Sequence, residues 1–279
     1  MTEAPGTDLT PDDPSAMWDQ KPPGYPALRY DPDWAEPLHE VLRRRLAAAG
    51  QIRLLDCCCG TGNPTLGLQL LHGVDYDIAW SDGAEEMLRR FRANAAHHGL
   101  ELEPRRIAWD GLREYYGEER FDAVLCLGNS LIYADSWGGR PFDAGRGRRA
   151  VRAALAQFYG VLRSGGMLFV DTTDAAELAG GKPVFGQGGW REEPDGEHAF
   201  SRDYIMTVDL DRSLRKVTNF RHRYQRAGHV YLGTLQCEFE GLALAHEALM
   251  AEMRAVGFGD VAPVDHRPFP WPLFVGTKQ

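Results

Sequence analysis

LLDCCCGTGNPTLGL, residues 54–68, places three adjacent cysteines between an aliphatic run and a pair of glycines. Two readings compete for it: a cysteine site for metal, redox or nucleophilic work, or a buried strand leading into a glycine turn. Zinc sites pair C-x2-C motifs at a distance, and only Cys126 and Cys237 remain elsewhere as partners. A disulfide between sequence neighbours is strained, and a strand sends neighbouring side chains to opposite faces. Cys57, Cys58 and Cys59 are therefore read as small apolar residues closing a buried strand, with no metal site expected. The residues after the cysteines are more informative. Gly60-Thr61-Gly62 lets the backbone approach a ligand, Asn63 suits an N-cap and Pro64 a first helical position, so the chain reads strand, glycine turn, helix. The exposed N–H groups of such a helix start favour an electron-rich ligand.

Working outward, Asp82 closes the apolar stretch DYDIAWSD 20 residues beyond Gly62, where a carboxylate can accept ribose hydroxyls. A dinucleotide fingerprint wants a third glycine where Thr65 stands, so a mononucleoside cofactor is favoured over the NAD(P) of an oxidoreductase. Strands are predicted near 52–57, 76–81, 104–109, 122–127 and 166–171, with helices near 64–72, 84–98 and 147–163. That alternation predicts an α/β doubly wound sheet with ligands outside the carboxyl ends of its strands, where Asp56, Gly60, Asp82, Asp110 and Asn129 fall.

The bulk numbers agree with a small-molecule site. With 279 residues, 43% of them hydrophobic, the chain can bury a large core. A net charge of −9 argues against a phosphate-tracking surface, so no nucleic-acid partner is expected. No apolar run approaches the roughly 20 residues of a membrane span, and the acidic, Pro-rich beginning is unlike a signal peptide. Five cysteines, an odd number, do not suggest a disulfide framework, and a cytoplasmic protein without a membrane partner is expected. A homo-oligomer is left open.

Four stretches carry a family resemblance: LLDCCCGTG, Asp82 before GAEEML, AWDGL at 108–112 and FDAVLCLGNSL at 121–131. Together they resemble class I S-adenosylmethionine-dependent methyltransferases, most closely the glycine N-methyltransferase group. GYPALRYD at 24–31 and the ending VDHRPFPWPLFVGTKQ extend the likeness over most of the chain. The resemblance implies a Rossmann-like sheet and S-adenosylmethionine as cofactor. It also implies cofactor contacts from Tyr25, Arg29, Asp56, Gly60, Thr61, Gly62, Asp82, Gly83, Met87, Trp109, Asp110 and Leu127. In that reading the glycine loop passes under the methionine part, Asp82 holds the ribose, Trp109 and Asp110 flank the adenine, and Arg29 meets the cofactor carboxylate. Asn129 and Tyr133 are the candidate catalytic residues beside the methyl acceptor. The implied organisation is an N-terminal segment and cap helix at 1–50, a cofactor-binding core at 51–174, a substrate lid at 175–241 and closing elements at 242–279.

The lid has its own pattern. DYIMTVDL, KVTNFRHRYQ and HVYLGTLQCEF alternate and are separated by DRS and RAGH, which predicts a three-stranded antiparallel meander inserted between strand 5 and the last helix. It is too small to stand alone and is expected to lie over the sheet edge. Arg202, Arg223, Tyr204, Tyr224, Tyr231, Trp190 and Arg221 gather there; Tyr30, Asn129, Trp190, Tyr204, Arg221 and Tyr224 are the expected substrate contacts.

Methyl transfer from a sulfonium asks mainly for positioning. An amine need only arrive unprotonated, whereas a hydroxyl needs a base or metal, and no acidic pair stands at a metal-ligand spacing. His198, His222, His229 and His266 are the candidate bases for an oxygen or carbon acceptor. In glycine N-methyltransferases the fifth strand ends in Asp followed by His-Arg, and that arginine clamps the carboxylate of glycine. Here Asp171 is followed by Thr172 and Thr173, so a bidentate carboxylate partner is missing. The expectation is N-methylation of a larger amine or heterocycle in specialised metabolism. The alternatives are O- or C-methylation, glycine or sarcosine with Arg221 or Arg223 restoring the clamp, and a non-catalytic cofactor-binding module.

Overall fold

The computed structural model describes residues 32–46, 50–136, 141–175, 183–192, 197–264 and 271–279. Helix α1 (Pro32–Arg45) precedes a regular alternation: β1 (Ile52–Asp56), α2 (Thr65–His72), β2 (Tyr76–Asp82), α3 (Glu85–His97), β3 (Arg105–Arg106), α4 (Leu112–Tyr116), β4 (Phe121–Cys126), α5 (Ala144–Val161) and β5 (Leu162–Asp171). Next come four strands, β6 (Val184–Glu192), β7 (His198–Asp209), β8 (Leu214–Gln225) and β9 (Val230–Leu242), and then α6 (His246–Val256), β10 (Phe258–Val264) and β11 (Leu273–Lys278).

The first sheet has seven strands in the order β10-β11-β5-β4-β1-β2-β3, parallel except for β11, which pairs antiparallel with β5 and β10. Both faces are covered, which is why β4 reads FDAVLC with every residue buried. On one face α1, α2 and α3 bring Leu38, Leu42, Leu68, Leu88 and Phe91 onto Ile52, Leu54, Ala123 and Leu125. On the other, α5 and α6 bring Val151, Leu155, Phe158, Leu249 and Met253 onto Leu55, Val124, Leu168 and Val170. A fully buried Phe91 or Phe158 contributes about 1.5–3 kcal/mol relative to exposure.

The expected α/β sheet is present, with differences of local origin. The third strand is only two residues long, because Ile107 already bonds Asp82 and Trp109–Gly111 turns into a 3-10 helix. Pro64 rather than Asn63 occupies the N-cap position of α2, and no side chain caps that helix; its first residue, Thr65, instead donates from Oγ1 to Asp56 at 2.6 Å.

The inserted sheet has four strands, ordered β6-β7-β8-β9 and antiparallel throughout, one more than the meander expected at 203–239. Its root is tied to the first sheet by Leu242, which lies in the α5 and α6 core, and by Ser136 Oγ donating to the carbonyl of Glu240. Among the described residues no helix is long and apolar enough to cross a membrane.

Candidate active site

Strand order reverses direction at the β1/β4 junction: the chain moves from β1 to β2 on one side and from β4 to β5 on the other. Crevices at such a reversal, outside the carboxyl ends of the strands, are where α/β sheets hold ligands. Two loops with left-handed backbone line this one. Gly60 (φ +51°) and Gly62 (φ +111°) come after β1; Gly128 (φ +78°) and Asn129 (φ +57°) come after β4.

The two loop glycines differ in purpose. A side chain on Gly62 would meet Leu66 Cβ at 3.1 Å and Phe91 at 3.3 Å, so that glycine serves helix packing. Above Gly60 the space is open, with Cys58 O at 3.9 Å the nearest atom to an added Cβ, which leaves room for a ligand. Gly60 N donates to Asp82 Oδ2 at 2.8 Å and Ala84 N to Asp82 Oδ1 at 2.9 Å, so the acid at the end of β2 is aimed by the protein's own amides. Each carboxylate oxygen keeps a lone pair for a ribose hydroxyl. The open glycine and the fixed acid at this distance fit a nucleoside cofactor.

Asp56 works inside the protein. It accepts Thr65 Oγ1 at 2.6 Å and Cys58 N at 3.3 Å, and burial pushes its carboxyl well up. Met87 is 3% exposed and belongs to the core side of α3. Gly83 accepts Arg106 Nε through its carbonyl at 3.3 Å. Thr61 is buried and its carbonyl accepts Asn94 Nδ2 at 2.9 Å, while the carbonyl of Leu127 accepts Ser130 Oγ at 2.7 Å. Trp109 donates its indole N–H to Cys57 O at 2.7 Å and packs edge-on against Phe158, with Asp110 exposed beside it.

On the β4 side Asp171 accepts Asn129 N at 2.7 Å and Gly128 N at 3.0 Å. Burial pushes Asp171 up to about 7, against the pull of those amides. Asn129 is buried, and its Oδ1 accepts both Thr172 Oγ1 at 3.0 Å and Thr173 N at 3.1 Å. A backbone N–H on that oxygen fixes the amide's orientation, so beyond this network Asn129 offers N–H donors only.

The inserted sheet meets this loop at Tyr133. Arg215 Nη1 donates to Tyr133 Oη at 2.7 Å, and Gly241, the register partner of Arg215, lies so close to the same ring that a Cβ there would stand 3.0 Å away. Arg215 was not among the expected residues, because it comes just after the DRS turn and reads as a strand beginning. His246 was also missed; it holds Thr172 O at 3.0 Å and Asp174 at 3.3 Å.

Strand alternation puts Tyr204 on the face shared by Met206, the register partner of Val217. Tyr224 faces the other way and packs edge-on against exposed Tyr231. Trp190 lies on β6 and Arg221 on β8. Tyr25, Arg29, Tyr30 and His266 lie outside the described residues.

The cysteines are placed differently from the strand argument. β1 ends at Asp56, so Cys57 and Cys58 occupy a turn and their sulfurs share one side, with Cys126 of β4. Burial opposes ionisation of Cys126, and the neighbouring Cys57 and Cys58 thiols pull its pKa downward.

The reversal point, the glycine loop and the acid ending β2 make a crevice fit for a nucleoside cofactor. Comparison with known proteins points to methyltransferases. A family described as "Methyltransferase domain" matches residues 54–139. The chain is 33% identical over 160 residues to a glycine/sarcosine N-methyltransferase of Parasynechococcus marenigrum, covering 56% of this chain and 51% of that one. It is also 33% identical over 132 residues to the enzyme of the same name from Aphanothece halophytica, covering 47% and 44%. The chain is thus matched over about half the length of these relatives. The solved structure of Streptomyces venezuelae DesVI matches with a TM-score of 0.66 at 18% identity, over 89% of this chain and 92% of that one. S-adenosylmethionine-bound CalS10, an amino pentose methyltransferase from Micromonospora echinaspora, matches with a TM-score of 0.64 at 19% identity, over 88% and 90%. At those identities the likeness is one of fold.

Proposed function

We propose that this protein methylates the nitrogen of a small-molecule amine bulkier than glycine, using S-adenosylmethionine. The observation that carries the reading is Thr173, which stands where the carboxylate-clamping arginine would be and whose backbone N donates to Asn129 Oδ1 at 3.1 Å. Without a guanidinium at that point, binding of a free amino acid loses a charge-assisted pair of about 2 kcal/mol or more. The bound cofactor supplies an electrophilic methyl carbon. Gly60 leaves room for it, Asp82 orients its ribose, and the loop after β4 carries the acceptor side. Asn129 donates to an oxygen of the acceptor molecule, which leaves the attacking nitrogen's lone pair free, and Tyr133, held by Arg215, walls the position next to it. Alignment of the nitrogen with the methyl carbon is the main source of acceleration, and no side-chain base is required of an amine that arrives neutral.

In the same reading the sheet from β6 to β9 belongs to the substrate lid expected at 175–241, and Tyr25 and Arg29 are cofactor contacts by resemblance. Four free thiols at Cys57, Cys58, Cys59 and Cys126 suit a reducing compartment, the cytoplasm. The names of the structural neighbours make an amino sugar the first acceptor to try. Those of the curated relatives make glycine and sarcosine the rivals.

The test is a panel of amino sugars, aromatic and heterocyclic amines, glycine, sarcosine and dimethylglycine, incubated with methyl-labelled S-adenosylmethionine and read by product mass. A bulkier amine should exceed glycine in kcat/KM by at least about tenfold. Glycine turned over at about 1 s⁻¹ or faster with a millimolar or lower KM would overturn the reading.

A further inference from the structure

The sulfur atoms of Cys57, Cys58 and Cys126 lie within 4.8 Å of one another at the carboxyl ends of β1 and β4. We propose that these three thiols form a binding site for one soft, thiophilic d10 cation, of the Cu(I) or Cd(II) kind. Three thiolates around one such ion at about 2.3 Å each stand about 4 Å apart in a trigonal plane, so adjustments of less than an ångström convert the cluster into a ligand set. An all-sulfur set selects against Mg2+ and Ca2+, which demand oxygen.

The backbone already holds the three residues in place. Cys57 N donates to Leu125 O at 3.1 Å, its carbonyl accepts Trp109 Nε1 at 2.7 Å, and Cys126 is the last residue of β4. Cys57 and Cys126 are fully buried, while Cys58 is partly exposed and gives the ion its way in. What the cation must displace is weak: Cys57 Sγ donates to Leu125 O at 3.1 Å and Cys58 Sγ to Leu127 O at 3.3 Å, both S–H bonds. On binding, each sulfur gives its proton to solvent and forms one S–metal bond, with no change of oxidation state. The ion would tie β1 to β4 directly beneath the crevice. Core packing alone asks for small apolar volume at each of these positions and does not require three sulfurs to converge.

The experiment titrates the whole protein, kept reduced with a phosphine, with Cd(II) alone. Ultraviolet thiolate-to-metal charge-transfer absorbance and the number of free thiols are monitored. The absorbance should saturate at one equivalent with three thiols lost, and the urea midpoint should rise with Cd(II). Cys58→Ala should weaken the ion by on the order of 100-fold or more, and Cys59→Ala should leave it unchanged. If Cys58→Ala fails to fold by circular dichroism, Cys58→Ser keeps the volume and replaces it. Absence of a saturating band at one equivalent, or a Cys58 variant that binds as the native protein does, overturns the assignment. So does loss of the band in Cys59→Ala alone.

Discussion

The crevice between β1 and β4 and the inserted sheet hold their polar groups in opposite ways. In the crevice Asp56, Asp82 and Asp171 are each buried and each accept backbone amides, with Thr65 adding a hydroxyl to the first. In the sheet the polar pairs lie near solvent: the ion pair of Lys216 with Glu238 at 2.8 Å, both over a third exposed, and the hydrogen bond of His222 with Asp203 at 3.2 Å. Buried, fully bonded networks specify one geometry, whereas exposed pairs add little to stability. The crevice, proposed to hold the cofactor, is thereby fixed by its framework, and the inserted sheet, proposed to face the acceptor, carries its pairs near its surface.

The contrast can be broken by experiment, and the strongest blow falls on Asp82. Asp82→Ala removes the acceptor of Gly60 N and Ala84 N together with the proposed ribose contact, and should weaken S-adenosylhomocysteine by about 1.5–3 kcal/mol, roughly 10- to 150-fold, by calorimetry. Unchanged affinity would mean the crevice is not the cofactor site. Arg215→Ala should act on the other side only, raising the acceptor KM by about tenfold through the loosened Tyr133 while cofactor affinity stays within about twofold. An effect on both ligands would show that the two regions are not separable.

A pH experiment sharpens the comparison. Burial lifts the Asp171 carboxyl to about 7 in the folded protein, above its unfolded value of about 3.9. Folding then takes up a proton between those limits, so this group's contribution to stability is complete below about pH 4 and is lost as pH rises through about 7. Asp171→Asn should flatten the dependence of the urea midpoint on pH between about 4 and 7; a variant as steep as the native protein would assign the slope elsewhere. The smallest effect belongs to the sheet. Phe185 is 71% exposed, and Phe185→Ser should move stability by less than about 0.5 kcal/mol in the same denaturation assay.

The crevice was the more legible half for the same physical reason. Continuous apolar runs such as FDAVLC, closed by glycine or acid, announce parallel strands and the loops that end them, so Gly60, Asp82 and Asn129 stand where the sequence puts them. β6 was illegible because VFGQGGWRE carries three glycines and no alternation, and it pairs only because β7 offers an edge. The cysteines were misjudged in direction because alternation applies within a strand and β1 stops one residue before them. Arg215 and His246 gave no local signal at all. Their roles depend on Tyr133 and Thr172, distant in sequence and brought near by the tertiary fold.

The two amides that hold Asp82 also decide what the crevice refuses. A carboxylate pinned at both oxygens cannot swing aside, so a nucleoside carrying phosphate on its ribose hydroxyls would press like charge against like at close range. With a net charge of −9 the surrounding field leans the same way. The exclusion reaches nucleosides phosphorylated at the 2′ or 3′ position; a 5′-phosphate does not meet this acid.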